Sequence, residues 1–261
     1  MQPNQLLANK VIIVTGASRG IGRAIALSAG QSGAAVVVHY FGDEATTAEA
    51  NELLQELQGA GAKAVKVPGD IANPNTSTEI VKVAVDTFGR IDALVSNAGI
   101  CPFHSFLEMP HDLWKKVQDV NLNGAFYIVQ AVANQMKSQT PQGGSIIAIS
   151  SISALVGGGM QSHYTPTKAA VHSLMQSCAI ALGPYKIRCN SLLPGTIETD
   201  INREDLSDVK KREYMEGRIP LGRLGDPVDL AGPAIFLASD LAQYVTGSAL
   251  LVDGGMYVSL Q

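Results

Sequence analysis

The chain has 261 residues, with 19 Lys or Arg against 23 Asp or Glu and a formal net charge of −4. Charged residues make up 16%, against the roughly 25% usual for soluble domains, so the basic field that nucleic-acid binding needs is missing. No apolar stretch approaches the ~18 residues of a membrane span, and the amino terminus has no charged-then-apolar leader pattern, so a soluble cytoplasmic protein without a membrane partner is expected.

Short apolar, β-branched runs alternate with longer amphipathic stretches along the chain. A strand over residues 11–15 leads into a helix over 21–32, a strand over 35–40 into a helix over 46–58, and a strand over 64–67 into a helix over 75–87. The pattern continues with a strand over 93–96 and a helix over 112–137, then a strand over 145–150 and a helix over 162–182. A strand over 187–192, a helix over 227–237 and a last strand over 249–252 complete it. Each strand reads as near-continuously apolar, as strands buried on both faces do. The alternation predicts an α/β fold: a single Rossmann-type doubly wound domain over residues 1–261, with a seven-stranded, mostly parallel sheet and helices on both faces.

Residues 200–218 break the composition, with 11 charged residues among 19, after a Pro194-Gly195 turn. They read either as a solvated pair of surface helices or as a lid, spanning about 197–220, over a site at the strand ends. Cys101, Cys178 and Cys189 are far apart with no C-x-x-C spacing, and the five histidines show no ligand spacing. Reduced packing cysteines and no metal are expected.

The first strand runs into Thr15-Gly16-Ala17-Ser18-Arg19-Gly20-Ile21-Gly22, where a helix begins. Glycines at 16, 20 and 22 let a backbone turn tightly and approach a pyrophosphate at a helix amino terminus. Its place in a βαβ unit gives the loop its weight.

The G-x-x-x-G-x-G spacing resembles that of the short-chain dehydrogenase/reductase superfamily, and further motifs of that family stand in order along the chain. Ser96-Asn97-Ala98-Gly99 ends the fourth strand and Asn121 lies in the next helix. Ser151 follows the fifth strand, Tyr164 and Lys168 open the following helix, and Pro194-Gly195 ends the sixth strand. Tyr164 and Lys168 are four apart on one helical face, so an ammonium there is expected to lower the phenol's pKa and make Tyr164 a general base. Pro166 between them fits only a first helical turn. Ser151 is suited to hold the reacting oxygen, and the resemblance implies that Asn121 anchors a proton path from Lys168 to solvent.

The resemblance also implies cofactor contacts from Gly16, Ser18, Arg19, Gly20, Ile21, Gly22, His39, Tyr40, Asp70, Ile71, Asn97, Ala98, Gly99, Tyr164, Lys168, Ile197 and Thr199. Asp70-Ile71 is similar to the family's adenine contact and also reads as an ordinary helix cap. The second strand ends in Val38-His39-Tyr40 with no carboxylate before Asp43, and the guanidinium of Arg19 can pair with a 2′-phosphate. NADP is therefore expected, with NAD tolerated; a solvated loop cation is the plainer reading of Arg19.

Residues 96–104, 150–161 and 163–168 are similar to those of the rhamnose-oxidising branch of the superfamily, as are 172–178, 181–185 and 251–255. That similarity implies hydride transfer from C1 of L-rhamnose, a small-molecule sugar substrate, to NADP or NAD, giving L-rhamnono-lactone. Ser151, Ser153, Tyr164, Thr196 and Asn202 are the expected substrate contacts, with Gln161 and Arg203 as further polar partners. Val156, Met160, Ile197 and Phe103 offer an apolar patch for the methyl group. A 3-oxoacyl-[acyl-carrier-protein] reductase, another aldose 1-dehydrogenase, or an NADP-sensing binding protein without chemistry are the alternatives. The family commonly forms homotetramers through the helices carrying Asn121 and Tyr164. Runs such as Ala169-Ala170-Val171 and Ala179-Ile180-Ala181 are apolar on more than one side, which fits such burial.

Overall fold

A computed structural model describes residues 5–203 and 205–259. One seven-stranded sheet with the order β3-β2-β1-β4-β5-β6-β7 organises them. Its strands are β1 (Val11–Val14), β2 (Ala35–Tyr40), β3 (Ala64–Pro68), β4 (Ala93–Ser96), β5 (Gly144–Ile149), β6 (Ile187–Pro194) and β7 (Ala249–Val252). Every pairing is parallel, so the sheet is fully rather than mostly parallel. The order reverses between β1 and β4, and at such a switch point a crevice opens at the carboxyl ends of the strands.

Two apolar clusters sandwich the sheet. On one face α1 (Gly20–Gln31), α2 (Glu44–Gly59) and α8 (Ala231–Ala238) pack residues such as Ile25, Leu53 and Leu237 onto Ile12 and Val36. On the other, α3 (Pro74–Phe88), α5 (Gly124–Ser138) and α6 (Thr165–Leu182) cover Ile13 and Ile146 with Ile80, Ile128 and Met175. Each fully buried aliphatic side chain contributes about 1.5–3 kcal/mol of transfer free energy, so the strand pattern that alternates Ile12 with Ile13 fixes both faces at once.

The two edge strands depart from the expectation of burial on both faces. β3 is only partly buried along most of its length and β7 is exposed at Ala249, because an edge strand lacks a neighbour on one side. Lys66 places a charge on the β3 edge, a device that blocks pairing with another sheet.

The long helix expected over 112–137 is interrupted. α4 (His111–Gln118) passes through a π-helical turn, Asp119–Asn123, into α5. The stretch expected to be helical over 227–237 begins as a 3-10 turn, Pro227–Leu230, where Asp226 and Asp229 form a reciprocal capping box. Within the charged segment, the 3-10 turn Asp205–Ser207 is followed by α7 (Val209–Gly217), whose cap Asp208 accepts hydrogen bonds from the Lys210 and Lys211 amides. Glu204, in the expected lid, lies outside the described residues. No described helix is long and apolar enough to cross a membrane.

Candidate active site

The glycine loop is built from backbone. Gly16 sits at φ +61°, a left-handed conformation that favours glycine, and an added Cβ there would come 2.9 Å from Ala98 Cα. At Gly22 the same atom would stand 2.3 Å from Gly16 O and 2.6 Å from Asn97 Nδ2. The loop is pinned across β1 and β4: Thr15 Oγ1 accepts from the Asn97 and Ala98 amides at 2.9 and 3.0 Å, and Asn97 Nδ2 donates to Thr15 O and Gly16 O. The amino end of α1 has neither a side-chain cap nor an acidic residue in its first turn. A cradle bare of side chains, opening onto uncapped helix amides, fits the pyrophosphate of a dinucleotide.

His39 sits beneath this loop, 2% exposed, with both ring nitrogens engaged. Its Nδ1 accepts from Gly16 N at 3.3 Å, so Nε2 carries the proton and donates to Gly69 O at 2.9 Å. Its side chain therefore clips the ends of β1, β2 and β3 together. Burial lowers its pKa from 6.5 to about 4, outweighing the opposing Gly69 hydrogen bond and Asp70 charge. A folded pKa below the unfolded value means that the unfolded chain binds the proton more readily. The stabilising contribution is complete above pH 6.5 and is lost as pH falls through 4, by about 3 kcal/mol. Thermal melts between pH 7 and pH 4.5 are expected to show the midpoint falling more steeply in the wild type than in His39→Gln; parallel curves would refute this.

The neighbouring expected contacts divide. Ser18 Oγ donates to Glu49 Oε2, and Arg19 lies between Glu49 and Asp200. Tyr40 is buried, with the Lys66 ammonium 5.7 Å from its ring centroid. Asp70 accepts from the Ala72 amide at 3.0 Å in a turn ahead of α3, whose cap is Asn73 instead, so the helix-cap reading of Asp70 does not hold. Ile71 packs against Gly124 in the opposite core. Thr199 faces Gly20 across the cradle, 3.5 Å from where a Cβ would stand.

At the carboxyl ends of β4, β5 and β6 lies a cavity of about 500 Å³. Ser151, Ser153, Tyr164, Lys168, Thr196 and Asn202 all reach its wall, with Ile21, Asn97, Gly99, Ile197 and Thr199 on the side of the glycine loop. Gln161, Val156 and Phe103 also line it, whereas Met160 and Arg203 do not. Pro166 falls in the first turn of α6, so Tyr164 and Lys168 stand at the helix mouth. The Lys168 ammonium is 5.5 Å from the Tyr164 ring centroid and donates to Ile149 O at 2.8 Å, while Ser150 Oγ donates to Lys168 O. Ser151 accepts from the Ser153 amide at 3.0 Å and hydrogen-bonds the Tyr164 phenol.

The electrostatics correct one expectation. Burial holds the Tyr164 phenol well above its usual range, with the Cys101 thiol acting in the same direction, and the Ser151 hydrogen bond only partly offsets this. The lowering expected from Lys168 is absent because burial also pushes the ammonium down, to about 8. In both groups burial is the largest cause of the shift.

Asn121 lies in the π turn, 2% exposed and outside the cavity wall. Its amide bonds both backbone groups of Ile100, accepting from N at 2.8 Å and donating to O at 2.9 Å. A Cβ on Gly99 would come 3.3 Å from Asn121 Oδ1 and 3.6 Å from Lys168 Nζ, so glycine there leaves the space beside both groups free of a side chain. π turns inside helices often mark functional positions. Asn202 is spent locally, accepting from the Thr199 amide and donating to Ile197 O, which closes the loop after β6.

Sequence reasoning missed several wall residues. Cys101, read there as packing, is indeed buried yet lines the cavity, accepts from Gln161 Nε2 at 3.3 Å and has its pKa pushed up to about 11 by burial. Leu206, Met215 and Arg218 of the charged segment form another wall, and Met256 and Tyr257 close a further side from beyond β7. The signal available was the apolar spacing Leu206, Met215, Ile219 inside an otherwise charged run. Leu206, Ile219 and Leu224 make a small separate core against Met215 and Met256. The segment is thus both a solvated helix, α7 having no buried residue, and part of the cavity's cover. Among the described residues no group of His, Cys, Asp and Glu is arranged to hold a metal ion.

Comparison with known proteins places this geometry in context. A family model described as enoyl-(acyl carrier protein) reductase matches residues 16–257. The chain is 60% identical over 256 residues to an L-rhamnose 1-dehydrogenase (NAD(P)(+)) of Azotobacter vinelandii, covering 98% of this chain and 100% of that one. It is 38% identical over 250 residues to a 3-oxoacyl-[acyl-carrier-protein] reductase of Staphylococcus epidermidis, covering 96% and 100%. The crystal structure of a gluconate 5-dehydrogenase from Burkholderia cenocepacia in complex with NADP and tartrate superimposes with a TM-score of 0.91 at 31% identity, covering 98% of this chain and 99% of that one.

Proposed function

The chain belongs to the short-chain dehydrogenase/reductase family, and from that membership we propose that it oxidises C1 of L-rhamnose to L-rhamnono-lactone. NADP is the preferred oxidant and NAD is accepted. The identity to a rhamnose dehydrogenase along nearly the whole chain carries this reading, and the convergence of Ser151, Tyr164 and Lys168 on one cavity supports it.

In this reading the backbone cradle of residues 16–22 holds the pyrophosphate, Asp70 and Ile71 the adenine, and Ile197 and Thr199 the nicotinamide end. When bound, the oxidised nicotinamide supplies the hydride acceptor. Ser151 Oγ orients the C1 hydroxyl oxygen, and Tyr164 Oη takes its proton. Tyr164 acts as the phenolate, its own proton having left by way of Lys168 Nζ, which is fixed by Ile149 O and relays protons to solvent past Gly99 and Asn121. Ser153, Gln161 and Thr196 meet the other hydroxyls, and Val156 and Phe103 the methyl group. Residues 197–220 act as a lid that excludes water.

The proposal extends to the assembly and the compartment. Ile180 on α6 is 83% exposed and Phe126 on α5 is 41% exposed, apolar surface that fits burial in a homotetramer. Three free cysteines fit a reducing cytoplasm.

Mixing the enzyme with NADP and a panel of aldoses, and following absorbance at 340 nm, tests the assignment. L-rhamnose is expected to give the fastest NADPH formation. Silence on every sugar, with NADPH consumption on a 3-oxoacyl thioester, would overturn it.

A further inference from the structure

The guanidinium of Arg19 stands at the amino end of α1, at the mouth of the glycine cradle, and it is already partnered. Its Nη1 lies 3.5 Å from Glu49 Oε1 and its Nε 3.5 Å from Asp200 Oδ2. Asp43 also feels its charge. The other oxygen of Glu49 accepts the Ser18 hydroxyl at 2.9 Å. One carboxylate, carried into place by α2, therefore engages both polar side chains between Gly16 and Gly22. The first carboxylate after β2, Asp43, is spent capping α2 through the Thr46 amide at 2.8 Å. The position from which an acid reads the ribose thus falls to a residue further along the chain.

We propose that Glu49 sets the balance between a ribose 2′-hydroxyl and a 2′-phosphate at this site. The inference rests on the NAD(P)-dependent reading above and adds to it the residue that governs cofactor choice. A 2′-hydroxyl has the proton that a carboxylate accepts, as acids at the end of the second strand do in dinucleotide-binding folds. A 2′-phosphate offers only acceptors, so it must compete with Glu49 for Arg19 and Ser18 while bringing like charge beside it. Asp200 holds the same guanidinium from the lid side. Arg19 alone would favour the phosphate strongly; Arg19 held by Glu49 leaves both cofactors usable.

Glu49→Gln removes the charge and keeps an acceptor for Ser18, and its half-exposed position on α2 leaves the cores untouched. Dissociation constants for NADPH and NADH, from cofactor fluorescence without turnover, and for 2′,5′-ADP and 5′-AMP, by calorimetry, provide the test. In the variant the NADPH and 2′,5′-ADP constants are expected to fall about tenfold, equivalent to 1.4 kcal/mol, while those of NADH and 5′-AMP stay level or rise. Glu52→Gln, the same change of charge at an exposed position of the same helix, is expected to leave all four unaltered. An unchanged NADPH-to-NADH ratio in Glu49→Gln, or an equal shift in Glu52→Gln, would overturn the proposal. Failure of the wild type to bind either cofactor would instead overturn the reading beneath it.

Discussion

Replacing Tyr164 with Phe is expected to lower kcat for sugar oxidation by about 10³-fold, within the range that a positioned acid–base group supplies, while NADPH binding changes little. The substitution deletes one oxygen. The ring keeps its place at the mouth of α6, and the Lys168 ammonium, anchored to Ile149 O at 2.8 Å, keeps its site without it. What disappears is the atom that receives the substrate proton in the proposed mechanism, together with the partner of Ser151. The raised phenol adds a second readout. A base that is mostly protonated at neutral pH works better as pH rises, so wild-type oxidation is expected to accelerate into the alkaline range and the residual rate of Tyr164→Phe to stay flat. A variant that kept most of its activity, or kept the alkaline rise, would remove Tyr164 from the chemistry.

Gly22→Ala is expected to be nearly as severe by a different route. Its Cβ would be placed 2.3 Å from Gly16 O and 2.6 Å from Asn97 Nδ2, and neither can step aside. Gly16 is held at φ +61° against Ala98, and the Asn97 amide is committed to the carbonyls of Thr15 and Gly16. The loop must open, which costs about 2 kcal/mol for an overpacked site and lowers the melting midpoint by about 6 °C. The larger loss falls on the cofactor, because the uncapped amides of α1 no longer converge; NADPH affinity is expected to drop more than about 100-fold. Differential scanning calorimetry and a fluorescence titration together decide the matter. A variant with normal affinity would show that the pyrophosphate does not rest on this loop.

Much of the sheet was legible because a parallel strand covered on both faces is apolar at nearly every position: β2 and β4 fall where the runs of residues 35–40 and 93–96 place them. The edges were less legible, since an apolar run says nothing about whether a neighbour exists. The π turn at Asp119–Asn123 was hidden for a related reason. Helical periodicity tolerates one surplus residue, and only the bond between the Asn121 side chain and Ile100 reveals why it is there. Tyr164 and Lys168 could be found from their spacing, yet the direction of the phenol's shift could not, because it depends on how much protein surrounds the pair. Glu49 was invisible to a search along the second strand; it reaches Ser18 only after α2 folds back.

The small core of Leu206, Ile219 and Leu224 stands apart from the two clusters that hold the sheet. At about 1.5–3 kcal/mol for each buried side chain, the cover of the cavity draws its stability from a separate and modest source. Under the lid role proposed for residues 197–220, changes there alter how readily a sugar enters or leaves without weakening the scaffold, so substrate range is free to drift over generations while the folded framework and its proposed nucleotide cradle stay fixed.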